Sequence, residues 1–530
     1  MNINELPSEI ILDIFSYLPQ KDLINGAWNV CMLWQELSLS PRLWRNYNYA
    51  KDYKNFTYCY LHLAKINQHV RHIQIPLSSL VACFAFPNIQ WKNLESLHVN
   101  RVSAYQCLET VVKKFGFLKH LTVMFVPNTD IRRHLNLLTQ LSLVSLEIEW
   151  SGNQYVDSYL ISLLRKQPNL KSLTLKGWHS LNDDAIAGGL EMCQNIEVLH
   201  LLTSQVSNSI VGISVPLHNL TKFIVRSEIF DDSGLRLLAN RATGLRFLDI
   251  RGCVQTTYRG LTCIARHCSF LESVQFDKFL IEGNSNINSY ISTLSECCHR
   301  LKHLQLIRLD TIFEDRLLIL FTSVKFLQSI TLENVEEISN TSLFFIAKHC
   351  LYLTDIYLKK CHMISAVGVI FLAKNCKRLK SLNVLYCNGI KDVYEDNKNG
   401  VLQLFDTHYT STTICNTVTY FVSENDPMEC EKSTMGMQDH DEEMNESHSR
   451  LNVNDLNCEN HSHLLKLDLT QCSNITTRTV LYLVKMCSDL RELNLDNCFR
   501  SIEHVQELKS KIFVSCTFLN NVHIYPFNIL

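Results

Sequence analysis

One apolar triplet, spaced i, i+3, i+5, recurs along this chain and limits its fold more than any other feature. It reads Leu118/Leu121/Val123, Leu170/Leu173/Leu175, Leu245/Leu248/Ile250, Leu353/Ile356/Leu358 and Leu490/Leu493/Leu495. With weaker copies included, its first position falls at 70, 94, 118, 143, 170, 196, 220, 245, 271, 301, 327, 353, 379, 464, 490 and 519. Sixteen copies at steps of mostly 24–27 residues define an internal repeat. Apolar residues at i+3 and i+5 lie on one face of a short strand. About eight residues later a second apolar stretch follows at helical spacing, as in Leu343, Phe344, Ile346 and Ala347. A strand and helix of ~26 residues cannot bury its apolar face alone, but stacked neighbours bury it jointly. The pattern therefore predicts an α/β solenoid, a horseshoe of about 16 repeats.

The composition follows from this register. Among 530 residues there are 78 leucines and 21 cysteines, but only 16 glycines, which argues against linker-rich and phosphate-loop-rich architectures. Cys253, Cys361, Cys387, Cys472 and Cys498 each sit eight residues after the first triplet position. Cys193, Cys268, Cys298, Cys350, Cys376, Cys487 and Cys516 each sit three before it. Pairs such as His349-Cys350 and Cys361-His362 invite a zinc reading. Equivalent slots of a solenoid form parallel rows, however, and do not converge on a point; no CxxC pair occurs. The expectation is buried thiols acting as small apolar fillers, with no metal and no cofactor. Leucine in the triplets and cysteine in two slots resemble the cysteine-containing subclass of leucine-rich repeats, over roughly residues 70–530 less an insertion.

The first forty residues have a different grammar. Leu6-Pro7-Ser8-Glu9 sets proline at a helix start with an acid close behind. Ile10, Ile11, Ile14, Phe15 and Leu18 trace an apolar helical face ended by Pro19. Asp22 begins a second helical stretch carrying Leu23, Ala27, Val30, Cys31, Trp34 and Leu37, and a third short element holds Leu43 and Trp44. So small a core is marginal alone and commonly completes itself against a partner. The run Leu6-Pro7-x-Glu9-Ile10, Ile14-Phe15-x-x-Leu18, Asp22-Leu23, Ala27, Val30-Cys31-x-x-Trp34, Leu43-Trp44 resembles an F-box, with Met32 a departure from the usual basic or polar residue. That resemblance implies docking on a Skp adaptor and, through it, on a cullin–RING scaffold. It also implies that Leu6, Pro7, Ile10, Ile14, Leu18, Leu23, Val30, Cys31, Trp34, Leu43 and Trp44 divide between an adaptor-binding surface and the module's core. The sequence does not say which residue falls on which side.

Between the triplets at 379 and 464 the register is interrupted. Residues 388–405 still supply a repeat helix, which leaves an excess at about 406–460. From Glu424 to Glu459 there are eleven acids against Lys432 and Arg450, a local charge of −9. The whole chain is −2, so the remainder carries +7. This composition predicts a disordered insertion, either a tolerated surface loop or an acidic flap that screens a basic surface or binds a partner. The expected organisation is an F-box at 1–46, a linker at 47–69, repeats at 70–405, the acidic insertion at 406–460 and C-terminal repeats at 461–530.

Strand residues at i+2, i+4 and i+6 face outward and form the candidate binding surface. Lys176, Arg226 and Arg251 are its basic cluster; His200, Tyr357 and Lys359 add polar and aromatic character. A mixed surface of this kind suits a protein partner, while three basic residues make a thin version of the stripe that holds an inositol phosphate in some plant receptors of this architecture. Near-neutral charge (pI about 6.9) gives no nucleic-acid footprint. No apolar run is long enough to span a membrane, no secretory leader or prenyl-acceptor cysteine is evident, and the odd cysteine count favours reduced thiols in the cytoplasm or nucleus. Nothing converges into a catalytic constellation. Together these features suggest a non-catalytic substrate-recognition subunit of a Skp–cullin–F-box ubiquitin ligase whose repeats bind an unknown protein target; the alternative is a repeat scaffold without ligase function.

Overall fold

The computed structural model describes residues 3–48, 64–76, 91–179, 181–203, 206–212, 215–276, 287–309, 312–390, 462–499, 502–515 and 519–525. The expected insertion at 406–460 lies outside them, as does most of the 47–69 linker. The chain forms two compact units, Met1–Gly283 and Asn284–Leu530.

The first unit opens with short helices Ser8–Ser16, Gln20–Asn25, Met32–Ser38 and Pro41–Trp44. Ten parallel strands follow: β1 (Asn46–Asn48), β2 (His72–Pro76), β3 (Ser96–Val102), β4 (His120–Phe125), β5 (Ser145–Glu149), β6 (Ser172–Lys176), β7 (Val198–Leu202), β8 (Lys222–Arg226), β9 (Phe247–Asp249) and β10 (Ser273–Gln275). Each is bonded to the next in sequence. The second unit stacks β11 (His303–Leu309), β12 (Ser329–Val335), β13 (Asp355–Lys359), β14 (Ser381–Leu385), β15 (Lys466–Asp468), β16 (Glu492–Asn494) and β17 (Asn521–His523) in the same way. A helix precedes most of these strands, and the architecture in both units is that of a leucine-rich-repeat solenoid.

The triplet sets the register. Leu121, Leu146, Leu173, Leu199, Phe223, Leu248 and Val274 are consecutive partners across the first unit. Ile330, Ile356, Leu382, Leu467, Leu493 and Val522 are consecutive partners across the second. All are buried except the half-buried Val522. The sixteen triplets account for β2–β17. Strand β1 has no triplet; it exists because Asn46-Tyr47-Asn48 pairs with His72-Ile73-Gln74 while Tyr47 is buried.

The backbone reveals a third repeat slot. Residues seven after the triplet start take left-handed angles: Arg101, Gly177, Gly252, Asn334, Lys360, Tyr386, Gln471 and Asn497, with φ from 53 to 86°. Such angles cost a non-glycine residue ~1–2 kcal/mol, so the turn is imposed by the stacking on either side. At Gly177 a Cβ would lie 2.9 Å from the Trp150 carbonyl oxygen, which excludes a larger residue there. The next position is the cysteine slot, and the turn aims its thiol inward. The Sγ of Cys253, Cys361, Cys387, Cys472 and Cys498 each donates to the i+5 carbonyl of the preceding strand, at 2.9–4.0 Å. In the other slot, Cys268, Cys350, Cys376 and Cys487 cap helix C-termini. Burial pushes the thiols of Cys268, Cys350, Cys376, Cys472 and Cys498 up to about 12. Protonated and enclosed, these cysteines are packing groups.

Candidate functional site: an apolar face on the N-terminal helices

The N-terminal module sorts its apolar residues into two sets. Helix Ser8–Ser16 is preceded by Pro7, whose ring fixes φ at −53° for entry into the first turn. Residues at i and i+4 share a helix face, so Ile11 and Phe15 form one stripe and Ile10 and Ile14 the adjacent one. The Ile11 stripe points inward, with Phe15 only 1 % exposed; Leu23, Ile24, Ala27 and Trp44 are buried as well. Phe15 meets the Trp34 ring edge-to-face at 5.1 Å. Polar groups on these aromatics are satisfied: Trp34 Nε1 donates to Asn4 Oδ1 at 2.8 Å, and Trp44 Nε1 donates to the Ser38 carbonyl at 2.5 Å. The Arg42–Asp13 ion pair (2.9 Å) is exposed and contributes little.

The second stripe has no such cover. Ile10 is 46 % exposed, Ile14 38 % and Val30 58 %; Pro7, Leu18, Tyr17 and Met32 are also exposed. Leu6, Cys31, Trp34 and Leu43 are half-buried. Of the residues singled out in sequence, Leu23 and Trp44 are therefore interior, while Pro7, Ile10, Ile14, Leu18 and Val30 form the outward set. Met32, the departure from the motif, adds to the exposed apolar surface. These aliphatic side chains are left in water by the module itself, and each Ile or Val fully covered by another surface is worth ~1.5–3 kcal/mol.

On the open face of the repeats, the basic residues come with their carboxylates. Lys176 pairs with Glu147 one strand earlier. Arg226 makes a bidentate pair with Asp249, at 2.9 and 2.8 Å. Arg251 reaches the same carboxylate through Nε and Nη2, at 3.0 and 2.7 Å. Burial acts to raise the Asp249 pKa, yet the Arg251 and Arg226 guanidiniums outweigh it and hold the carboxyl below its ordinary value. Three cations and two carboxylates leave +1, which is not a polyphosphate footprint, and the recess beside Arg226 adds a further acid, Glu228. His200, between these pairs, receives or donates a bond with Thr174 Oγ1 at 3.2 Å, and its Nε2 is buried without a partner. Burial, with Lys222 nearby, pushes its pKa down to about 4, so the ring is neutral. In the second unit, Lys359 pairs with Glu333 at 2.8 Å and burial raises the pKa of the adjacent Tyr357. The sequence rows thus locate an open polar face in each unit, but its charges are internally paired. The pairing was legible in principle, since Glu147 and Asp249 occupy the i+4 row beside the i+6 cations.

Comparison with known proteins gives the N-terminal module a match. The F-box-like family model matches residues 3–49. Among curated proteins the chain is similar to F-box/LRR-repeat protein 21 of sheep (Ovis aries) and of cattle (Bos taurus), in each case 25% identical over 221 residues. It is similar also to the mouse (Mus musculus) protein, 26% identical over 211 residues. The sheep and cattle matches cover 39% of this chain and 47% of the relative; the mouse match covers 37% and 44%. The chain therefore spans less than half the length of these relatives. Among solved structures it is similar to one in the Rad7–Elc1 complex of yeast, with TM-score 0.40, 14% identity, and coverage of 74% of this chain and 90% of that one. It is similar also to one in the TLR13–ssRNA13 complex, with TM-score 0.38, 11% identity, and coverage of 87% and 55%.

Proposed function

Because the chain is an F-box/leucine-rich-repeat protein, we propose that it is the substrate-recognition subunit of a Skp–cullin–F-box ubiquitin ligase. An F-box-like module and an open polar repeat face in each unit are the parts that such a receptor uses. In this reading the Skp adaptor covers Pro7, Ile10, Ile14, Leu18 and Val30, while Phe15, Leu23 and Trp44 hold those side chains in place. The adaptor tethers the chain to a cullin–RING scaffold, and the open faces of the repeats hold a target protein for ubiquitination and degradation. The chain supplies proximity and orientation, which convert a bimolecular encounter into a local one. Bond-making belongs to its partners, in the cytoplasm, the nucleus or both.

The single observation that carries the proposal is the uncovered stripe of Ile10 and Ile14 beside the covered stripe of Ile11 and Phe15. The test follows from the same contrast. The intact chain is used to capture Skp and cullin from cell extract, in parallel with an Ile10→Asp, Val30→Asp double variant. Capture of both by the parent, and loss of both by a variant whose melting temperature is unchanged, is the expected result. An intact chain that captures no Skp, or a variant that captures it equally well, overturns the ligase reading in favour of a scaffold.

A further inference from the structure

The acidic stretch 424–459 is the one sequence feature that the proposed function leaves unused, and the second unit carries a surface that matches it. Along the edge where the strands begin, residues 296–302, 323–329, 347–355 and 374–381 hold eight basic side chains: Arg300, Lys302, Lys325, Lys348, Lys374, Lys377, Arg378 and Lys380. The same segments contain two acids, Glu296 and Asp355. Basic residues in a helix's last turn, such as Lys348 and Lys374, complement the helix dipole. That explanation does not reach Lys325, Lys377, Arg378 or Lys380, which lie outside the helices and are exposed. Among the described residues, no ion pair is recorded for Lys325, Lys348, Lys377 or Lys380. This differs from the open face, where Lys359 has its Glu333.

Aromatic rings are interleaved with the charges. Phe326 and Tyr352 occupy the same slot in successive repeats, with ring centroids 5.7 Å apart, and both are exposed. The Arg378 guanidinium sits 4.7 Å above the Tyr352 ring. His349 senses the uncompensated field: burial lowers its pKa, and Lys348 and Lys325 lower it further.

The chain's own path brings the acids to this edge. Three residues after the acidic stretch comes Ser462; His463 takes the repeat position of Tyr352 and Arg378, and the Leu465 and Lys466 amides both donate to the Lys380 carbonyl at 2.9 Å. Glu459 is six residues before Leu465, at most about 20 Å of extended chain. Glu459 is therefore held within reach of this cluster, and the stretch it ends carries eleven acids against two basic residues on the same chain.

We infer that the basic, aromatic-studded edge of the second unit is the docking surface for this chain's own acidic segment, 424–459. The contact is charge-driven and exposed, so salt weakens it over a Debye length of ~8 Å at physiological ionic strength. A target or regulator that uses the edge must compete with the segment.

Zero-length carbodiimide cross-linking of the intact chain, read by mass spectrometry, tests this directly. Carboxylates of 424–459 should join Lys325, Lys348, Lys377 and Lys380 at least tenfold more often than equally exposed lysines elsewhere, and the preference should vanish in 0.5 M salt. It should vanish also in a Lys325→Glu, Lys377→Glu, Arg378→Glu variant of unchanged melting temperature. Cross-links spread in proportion to lysine exposure overturn the inference. A second measurement stands apart from cross-linking chemistry. A synthetic 424–459 peptide should bind a chain lacking that segment at least tenfold more tightly than it binds the intact chain. Equal binding to both, binding to neither, or an edge that takes RNA or anionic vesicles but not the peptide, each overturns it.

Discussion

The N-terminal helices and the repeats bury apolar surface by opposite strategies. In the repeats each apolar residue has equivalents one strand away on either side, so Leu173 is backed by Leu146 and Leu199. The helical module has no repetition. Its interior is a handful of unlike residues, Ile11, Phe15, Leu23, Ile24, Ala27 and Trp44, and it leaves nearly as many apolar side chains in water. Redundancy suits a long surface that must hold its shape under local change. A small core with an uncovered stripe suits a module completed by a partner. Energy concentrated in few residues and energy spread over many respond differently to mutation.

The largest effect should come from the concentrated side. Trp44 is fully buried, tilts against Tyr47 at 6.1 Å and spends its indole N–H on the Ser38 carbonyl. Trp44→Ala should cost ~3–5 kcal/mol, comparable to the whole stability of so small a core. Hydrogen exchange would show protection lost across residues 8–44 while β4–β9 keep theirs. Uniform loss across both regions would mean that the module and the repeats fold as one unit, and the comparison would fail.

How far sequence alone reached follows the same division. Repetition made the triplets legible, and with them β2–β17 and both cysteine slots. Strand β1 was missed because Asn46-Tyr47-Asn48 carries no triplet and pairs only by virtue of its neighbour. The left-handed slot was missed too, since Arg101, Lys360 and Tyr386 are not residues that advertise such a turn. In the module, Ile10, Ile11, Ile14, Phe15 and Leu18 read as one apolar face, which the structure divides into an inward stripe, Ile11/Phe15, and an outward one, Ile10/Ile14. Only the packing of the following helices decides which one faces inward. The open-face cations were found, but their partners, Glu147 and Asp249, were not read as neutralising them.

A middle-sized effect should come from Asp249, where the repeats depart from redundancy. Its carboxylate is 2 % exposed and holds two guanidiniums that are 31 % and 42 % exposed. Asp249→Asn should cost about 2 kcal/mol at pH 7, less than the ~3–5 for a fully buried pair because water reaches both arginines. The sign of the pH dependence follows from the lowered pKa. Its contribution is complete above the unfolded value near 3.9 and disappears as pH falls through the lower folded value. Urea midpoints of parent and variant should therefore differ at pH 7 and converge on acidification below pH ~4. Glu147→Gln, at a more open pair with Lys176, should cost under ~1 kcal/mol. An equal cost at the two sites would show that burial does not distinguish them.

The smallest effect tests redundancy itself. If the cysteine slot is one site repeated, Cys361→Ala and Cys387→Ala should each cost ~1 kcal/mol, within ~0.5 kcal/mol of one another, because each removes one sulfur from a similarly enclosed position. Serine separates volume from hydrogen bonding. At Cys361 and Cys387 the thiol lies 3.7 and 4.0 Å from the strand carbonyl, and 3.6 and 3.4 Å from the Lys359 and Leu385 carbonyls, all too long for a strong hydroxyl bond, so a buried hydroxyl there loses hydration with little return. At Cys472 and Cys498 the separations are 3.1 and 2.9 Å, within reach of a hydroxyl donor. Serine should therefore be worse than alanine at 361 and 387, and no worse than alanine at 472 and 498, by urea denaturation. The same rank order at all four would make the slot a pure volume site; the reversal would show that its hydrogen bond strengthens toward the C-terminal repeats.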